Sequence, residues 1–144
     1  MLRVLSVLSF LFMVIGILGL IRQGQLLYHD PLLIAIQTAA VLLMFWARLT
    51  FGLGSFHLAA NPTEEKLVTN GPYRWIRHPI YTAVILFCLP AAIHGGKYKA
   101  LCMAGLILLG ALIRIFCEES YLRRRFPDYK DYAARSWRII PGIF

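Results

Sequence analysis

The chain has 144 residues, 59% of them hydrophobic, and a formal net charge of +8. A mean hydropathy of +0.66 is too high for an ordinary soluble domain of this length. It also excludes reading the charge as a nucleic-acid footprint, because cations flanking greasy segments follow from membrane topology and from attraction to anionic head groups.

A membrane-crossing helix needs ~20 apolar residues to traverse ~30 Å of hydrocarbon. Residues 4–21 and 31–47 carry no Asp, Glu, Lys or Arg. Arg3 ahead of the first run would suit a signal peptide. However, the run exceeds the usual ~7–15 residues, and no small-x-small cleavage site follows it. A retained helix is expected, with Gly16 and Gly19 suited to close helix packing. The second run ends with Trp46 and Arg48, an interfacial aromatic and a snorkelling cation. Gly52 and Gly54 then loosen the chain. Asn61-Pro62-Thr63-Glu64-Glu65 reads as a turn and a short helical start capped by Thr63.

Asn70-Gly71-Pro72 is a turn signal. Pro79 suits the first turn of a third helix, where its missing N–H costs nothing. Arg77 and His78 then stand at that helix's N-terminus, a favourable place for a carboxylate or phosphate. The run over residues 79–96 is apolar, with Pro90 expected to kink it. His94-Gly95-Gly96 reverses the chain into a fourth run over residues 100–117, interrupted by Arg114. Helices three and four are therefore expected to form a hairpin of equal arms that brings residues 77–81 beside residues 114–118. An amphipathic helix is expected from residue 118 to about 134. Arg123-Arg124-Arg125, Tyr129, Tyr132 and Trp137 suit a lipid interface.

The sequence thus reads as one all-α integral membrane domain over residues 1–144, with about four transmembrane helices. Residues 1–60 supply two packing helices and residues 61–142 the part that carries chemistry. Of the fifteen Lys and Arg residues, Arg22, Lys97 and Lys99 fall on one side of the membrane and the other twelve on the opposite side. By the positive-inside rule both termini and the connection over residues 53–77 are cytoplasmic. Cys88, Cys102 and Cys117 sit in apolar runs without metal-ligand spacing and read as small apolar side chains. His29, His57, His78 and His94 are scattered, so no metal site is expected.

Two polar clusters stand out against this background. Arg114 and Glu118 share a helix face. They form either an intrahelical ion pair at the membrane boundary or, since ionisable groups within apolar spans are costly, part of a functional site. Glu119 pairs with Arg123 at i,i+4 and reads as structural. Arg77 and His78 either touch lipid head groups or bind a ligand at the helix start. Tyr73 and Tyr81 flank them with aromatic faces that attract a sulfonium or ammonium.

The pattern Leu67-Val68-Thr69-x-Gly71-Pro72-Tyr73-x-x-x-Arg77-His78-Pro79-x-Tyr81, followed by Arg114-x-x-x-Glu118-Glu119-x-x-Leu122-x-x-x-Phe126, then Tyr129-x-x-Tyr132 and Pro141, resembles the isoprenylcysteine carboxyl methyltransferase family. The wider group includes phospholipid N-methyltransferases. The resemblance covers about residues 61–142. It implies an S-adenosylmethionine-dependent membrane methyltransferase, with S-adenosylhomocysteine as product and a lipophilic or prenylated acceptor reached from the membrane lipid. By it, Lys66, Leu67, Val68, Tyr73, His78, Pro79, Ile80 and Tyr81 line the cofactor pocket, Glu118 contacts the cofactor, and Arg114 faces the substrate. Two positions depart from the family pattern. Phe126-Pro127-Asp128-Tyr129 stands where Phe-Gly is common, and Glu65 stands where prenylcysteine enzymes carry a cofactor-contacting His.

A carboxylate acceptor is already ionised at neutral pH. Transfer to it would need orientation by Arg114 and Arg77 rather than a base. An amine acceptor would need His78 or Glu118 as base. The expected activity is methyl transfer to a lipophilic carboxylate. A phospholipid amine methyltransferase and a non-catalytic lipid-binding scaffold are the alternatives.

Overall fold

The computed structural model describes residues 2–51 and 67–143. Gly52, Gly54, the expected turn and cap over residues 61–65, and Lys66 lie outside them. The elements are α1 (Leu2–Arg22), α2 (Pro31–Phe51), a 3-10 turn (Gly71–Arg74), α3 (Pro79–Gly95), α4 (Tyr98–Arg125) and α5 (Tyr129–Ala134). Among the described residues the β-type pairing is a single parallel bridge between Ile76 and Trp137.

Three helices are long and apolar enough to cross a membrane: α1 and α2, of 21 residues each, and α4, of 28. The third apolar run forms α3, which has 17 residues and is shorter than a usual span. The hairpin therefore has unequal arms. At 1.5 Å per residue α4 is about 42 Å long, so its last turns project beyond a hydrocarbon layer of ~30 Å.

The separate amphipathic helix expected from residue 118 is not formed. Residues 118–125 continue α4. Pro127 disfavours helical geometry at the residue before it, and Phe126 is extended (φ −116°, ψ 113°). A six-residue α5 follows.

Small side chains set the packing. α1 lies along α4, and α2 lies along α3. The buried stripe of α1 is Ser6, Ser9, Met13, Gly16 and Leu20, at the 3–4 residue spacing of one helix face. A Cβ at Gly16 would collide with Ile107 and the Met103 carbonyl, and one at Gly110 with the Ser9 carbonyl and Met13. The two backbones approach closely because these positions lack side chains. On the other side of the bundle, buried Gln37 of α2 donates from Nε2 to the carbonyls of Leu26 (2.7 Å) and Phe87 (3.2 Å). It ties the α1–α2 connection to α3. The hairpin reverses at Gly96, whose φ of 61° is left-handed and favours glycine.

The C-terminal tail returns to the start of α3. The Arg77 N–H donates to the Trp137 carbonyl (2.7 Å), the Trp137 N–H to Trp75 (2.8 Å), and the His78 N–H to Arg138 (3.0 Å). Thr82 Oγ1 donates to the Ile139 carbonyl (3.0 Å) and the Tyr132 hydroxyl to the Tyr73 carbonyl (2.7 Å). Residues 132–139 thus strap the segment between the 3-10 turn and α3.

Candidate active site

The hairpin brings the two polar clusters together. The Tyr81 hydroxyl, one turn into α3, donates to Glu118 Oε1 and accepts from Arg114 Nε at 2.7 Å. Arg114 Nε lies 3.4 Å from Glu118 Oε1. The Arg114 side chain is buried, whereas that of Glu118 is 22% exposed. Glu118 can therefore both anchor this cluster and reach a ligand.

α1 completes the surroundings of Arg114. One terminal nitrogen of its guanidinium, Nη1, donates to the Ser6 carbonyl (3.3 Å), and the guanidinium stands 5.2 Å above the Phe10 ring. The i,i+4 ion pair thus forms, within a cluster that also holds Tyr81, Ser6 and Phe10. Ser6 and Phe10 carry no motif. The available sequence signal was the pair of small hydroxyl residues, Ser6 and Ser9, at helical spacing within a greasy run.

His78 is buried at the N-cap of α3 and gives that helix no side-chain cap. Its Nδ1 lies 3.6 Å from Glu118 Oε2 and its Nε2 3.5 Å from Glu119 Oε1. These are ion-pair distances, and Nε2 has no hydrogen-bond partner among the described residues. Burial by itself would lower the imidazole pKa. The nearby Glu118 and Glu119 carboxylates outweigh it, and the net direction is upward.

Glu119 pairs with Arg123 at 3.5 Å, as its spacing indicates, but the larger part of its bonding is long-range. It also accepts from Arg77 Nε (3.1 Å) and from Arg138 Nε (3.0 Å) and Nη2 (3.2 Å). Arg77 is correspondingly directed into the tail. It donates to the carbonyls of Ala133 (2.7 Å) and Ser136. The structure therefore places Arg77 at the clamp formed by Glu119, α5 and the tail, and Arg114 at the Tyr81–Glu118 cluster.

The remaining positions border this cluster to differing degrees. Tyr73 is buried in the 3-10 turn, with its ring 5.7 Å from that of Phe51. Its phenol pKa is pushed up by burial first and by the Glu118 charge second, so the two groups share one electrostatic field. Pro79 is fully buried. Leu67, Val68, Ile80 and Tyr81 are half-buried.

The phospholipid methyltransferase family matches this chain over residues 25–129. The chain belongs to that family. That family falls in the group that includes the isoprenylcysteine carboxyl methyltransferase-like membrane methyltransferases. The matched span runs from the α1–α2 connection to the first residue of α5. It contains Tyr81, Arg114 and Glu118 but neither Ser6, Phe10 nor the tail strap.

The nickel-cobalt-cadmium resistance protein NccN of Alcaligenes xylosoxydans xylosoxydans is 37% identical over 86 residues. The cobalt-zinc-cadmium resistance protein CzcN of Cupriavidus metallidurans is 30% identical over 86 residues. In both cases the match covers 56% of this chain and 38% of the relative, so the chain spans about two fifths of the length of these relatives. No group of three or more His, Cys, Asp or Glu residues able to hold a metal ion occurs among the described residues. No solved structure matches the chain.

Proposed function

We propose that the protein transfers a methyl group from S-adenosylmethionine to a lipophilic acceptor presented from the membrane, releasing S-adenosylhomocysteine. The observation that carries this reading is the Tyr81–Arg114–Glu118 cluster. It joins a buried cation, a part-exposed carboxylate and a phenol where α4 leaves the hydrocarbon layer.

The side chains suit such a cofactor. Glu118 offers a carboxylate to a positive centre, and the Tyr73 and Tyr81 rings add cation-attracting faces. The α3 N-terminus has no side-chain cap and provides orphan N–H groups for a carboxylate. Leu67, Val68 and Ile80 supply half-buried apolar walls of the kind ligand pockets use. Lys66 belongs to the same proposed pocket by the family pattern. When bound, the cofactor supplies an electrophilic methyl group on a sulfonium.

Arg114 is proposed to orient the acceptor. Its Nε and one terminal nitrogen are held by Tyr81, Glu118 and Ser6, so its position is fixed before the acceptor arrives. A carboxylate acceptor needs only that orientation. A second reading, transfer to a phospholipid amine, is favoured by one specific observation. The Tyr81 hydroxyl bonded to Glu118 gives a route by which a proton leaving the amine reaches a carboxylate. The charge asymmetry of the connections supports a cytoplasmic site.

The experiment that tests the function is incubation of the purified protein and a lipid extract with methyl-labelled S-adenosylmethionine, followed by identification of the labelled product. A labelled lipid whose formation is independent of pH above the carboxylate range supports the carboxylate reading. A rate that rises with pH through a base supports the amine. A protein that labels nothing and gains no thermal stability from saturating S-adenosylhomocysteine is a lipid-binding scaffold instead.

A further inference from the structure

A crevice of about 220 Å³ lies between α1, α2 and α3, away from the polar cluster. Its lining is apolar throughout and includes Ile17, Val41, Met44, Ala83, Val84 and Phe87. We infer that this crevice seats a single hydrocarbon chain of the methyl acceptor. The inference rests on the methyltransferase reading above and adds where the acceptor's tail lies.

Three observations support one occupant. The first is continuity with the site. Val84 lies three residues beyond Tyr81, about 4.5 Å along α3, and the two pack against the same apolar cluster. Val84 also packs against the cluster around Leu20 and Cys88 and lines the crevice, so it borders both regions. A head group beside Tyr81, Arg114 and Glu118 would leave its tail running along this face of α3.

The second is a polar boundary at one end. Leu26 lines the crevice, and its carbonyl is held by Gln37 Nε2, one turn from Ala40 and Val41 on α2. Along α2 the lining runs from Ala40 to Phe45, about 7.5 Å of helix, with the polar Gln37 one turn beyond Ala40. The third is lateral access. Val41 is 50% and Phe45 65% exposed on a helix long and apolar enough to span the membrane. A chain can therefore reach the crevice sideways from lipid without passing through water.

The test uses the full chain in lipid nanodiscs, with two single-chain probes carrying a mid-chain diazirine: a long-chain fatty acid and the amine of the same length. Adducts are mapped by mass spectrometry after illumination. Wild type is compared with Val41→Trp, which fills the crevice from its exposed side, and with Met44→Trp. S-adenosylhomocysteine binding is measured calorimetrically on each protein.

Adducts concentrated on Val41, Met44, Phe45 and Phe87, and reduced about tenfold in Val41→Trp with cofactor-product binding unchanged, support the seat. That factor is of the size expected for losing the burial of two methylenes. Labelling by the acid or by the amine identifies the class of head group. Adducts spread equally over the lipid-exposed Leu32 and Leu42, or insensitive to both Trp variants, would overturn the proposal. Crevice labelling by a wild type that binds no S-adenosylhomocysteine would instead overturn the assignment of that chain to a methyl acceptor.

Discussion

Arg77 Nε lies 3.1 Å from Glu119 Oε1, and this pair fastens the start of α3 to the projecting end of α4. Through the same carboxylate it reaches Arg138 of the tail. Arg77 and Glu119 have side-chain exposures of 9% and 4%. Neutralising Glu119 leaves the buried Arg77 guanidinium without its carboxylate, at a cost of about 3–5 kcal/mol, whereas removing Arg77 leaves Glu119 paired with Arg138 and Arg123 and costs less. Arg77→Ala and Glu119→Gln should each lower the melting temperature, Glu119→Gln by more. The double variant should lose less than the sum, because the two residues act as a unit. Additive losses in thermal unfolding would show that the contact is incidental.

Protonation of His78 links this clamp to pH. Its folded-state pKa is raised, with Glu118 and Glu119 outweighing burial. The stability it contributes is therefore complete below the unfolded value of ~6.5 and is lost as pH rises through the folded value. The melting temperature should fall as pH increases across that window. The fall should be smaller in His78→Gln, which cannot carry the charge. Parallel pH profiles for the two proteins would remove His78 from the account.

Arg114 and Glu118 should separate acceptor orientation from cofactor binding. Arg114→Ala is expected to reduce methyl transfer by about 100-fold or more, in line with loss of a positioned charged donor, while S-adenosylhomocysteine still binds. Glu118→Ala is expected to weaken that binding by about 10- to 100-fold, the range for one charged hydrogen bond. Equal losses of binding in the two variants would contradict the division of roles.

Close α1–α4 packing predicts intolerance of side chains at its two tightest contacts. Gly16→Leu and Gly110→Leu each insert bulk against backbone carbonyls and should destabilise by at least ~1–3 kcal/mol. Gly105→Leu, whose Cβ would meet nothing nearby, should be near neutral apart from helix propensity. Thermal unfolding of the three variants in one detergent checks the order. Because Arg114 touches Ser6 and Phe10, the two disruptive variants should also lose transfer activity.

Much of the site was legible because its signals are local. Gly95-Gly96 marks the reversal of the hairpin, Pro79 marks the start of α3, and Arg114 and Glu118 share a face at i,i+4. These facts suffice to bring Tyr81 and Glu118 together. The tail was not legible. Trp137, Arg138 and Ile139 pair with residues some 60 positions earlier through backbone groups, which every residue carries. The bonding of Arg77 to the tail was hidden for the same reason. Its position beside His78 suggested a ligand, whereas its bonding to Ala133 and Ser136 depends on where the tail returns. The end of α4 was missed because charge and aromatic pattern suggested a new helix at residue 118. The break instead follows from the local conflict at Phe126-Pro127.

Calorimetric titration of S-adenosylhomocysteine into the reconstituted wild-type protein and Glu118→Ala tests the central claim most directly. Saturable one-site binding by wild type, weakened at least about tenfold by the substitution, is the predicted result. No heat of binding from wild type at saturating concentration, or equal affinity in the two proteins, would contradict a cofactor site built on Glu118.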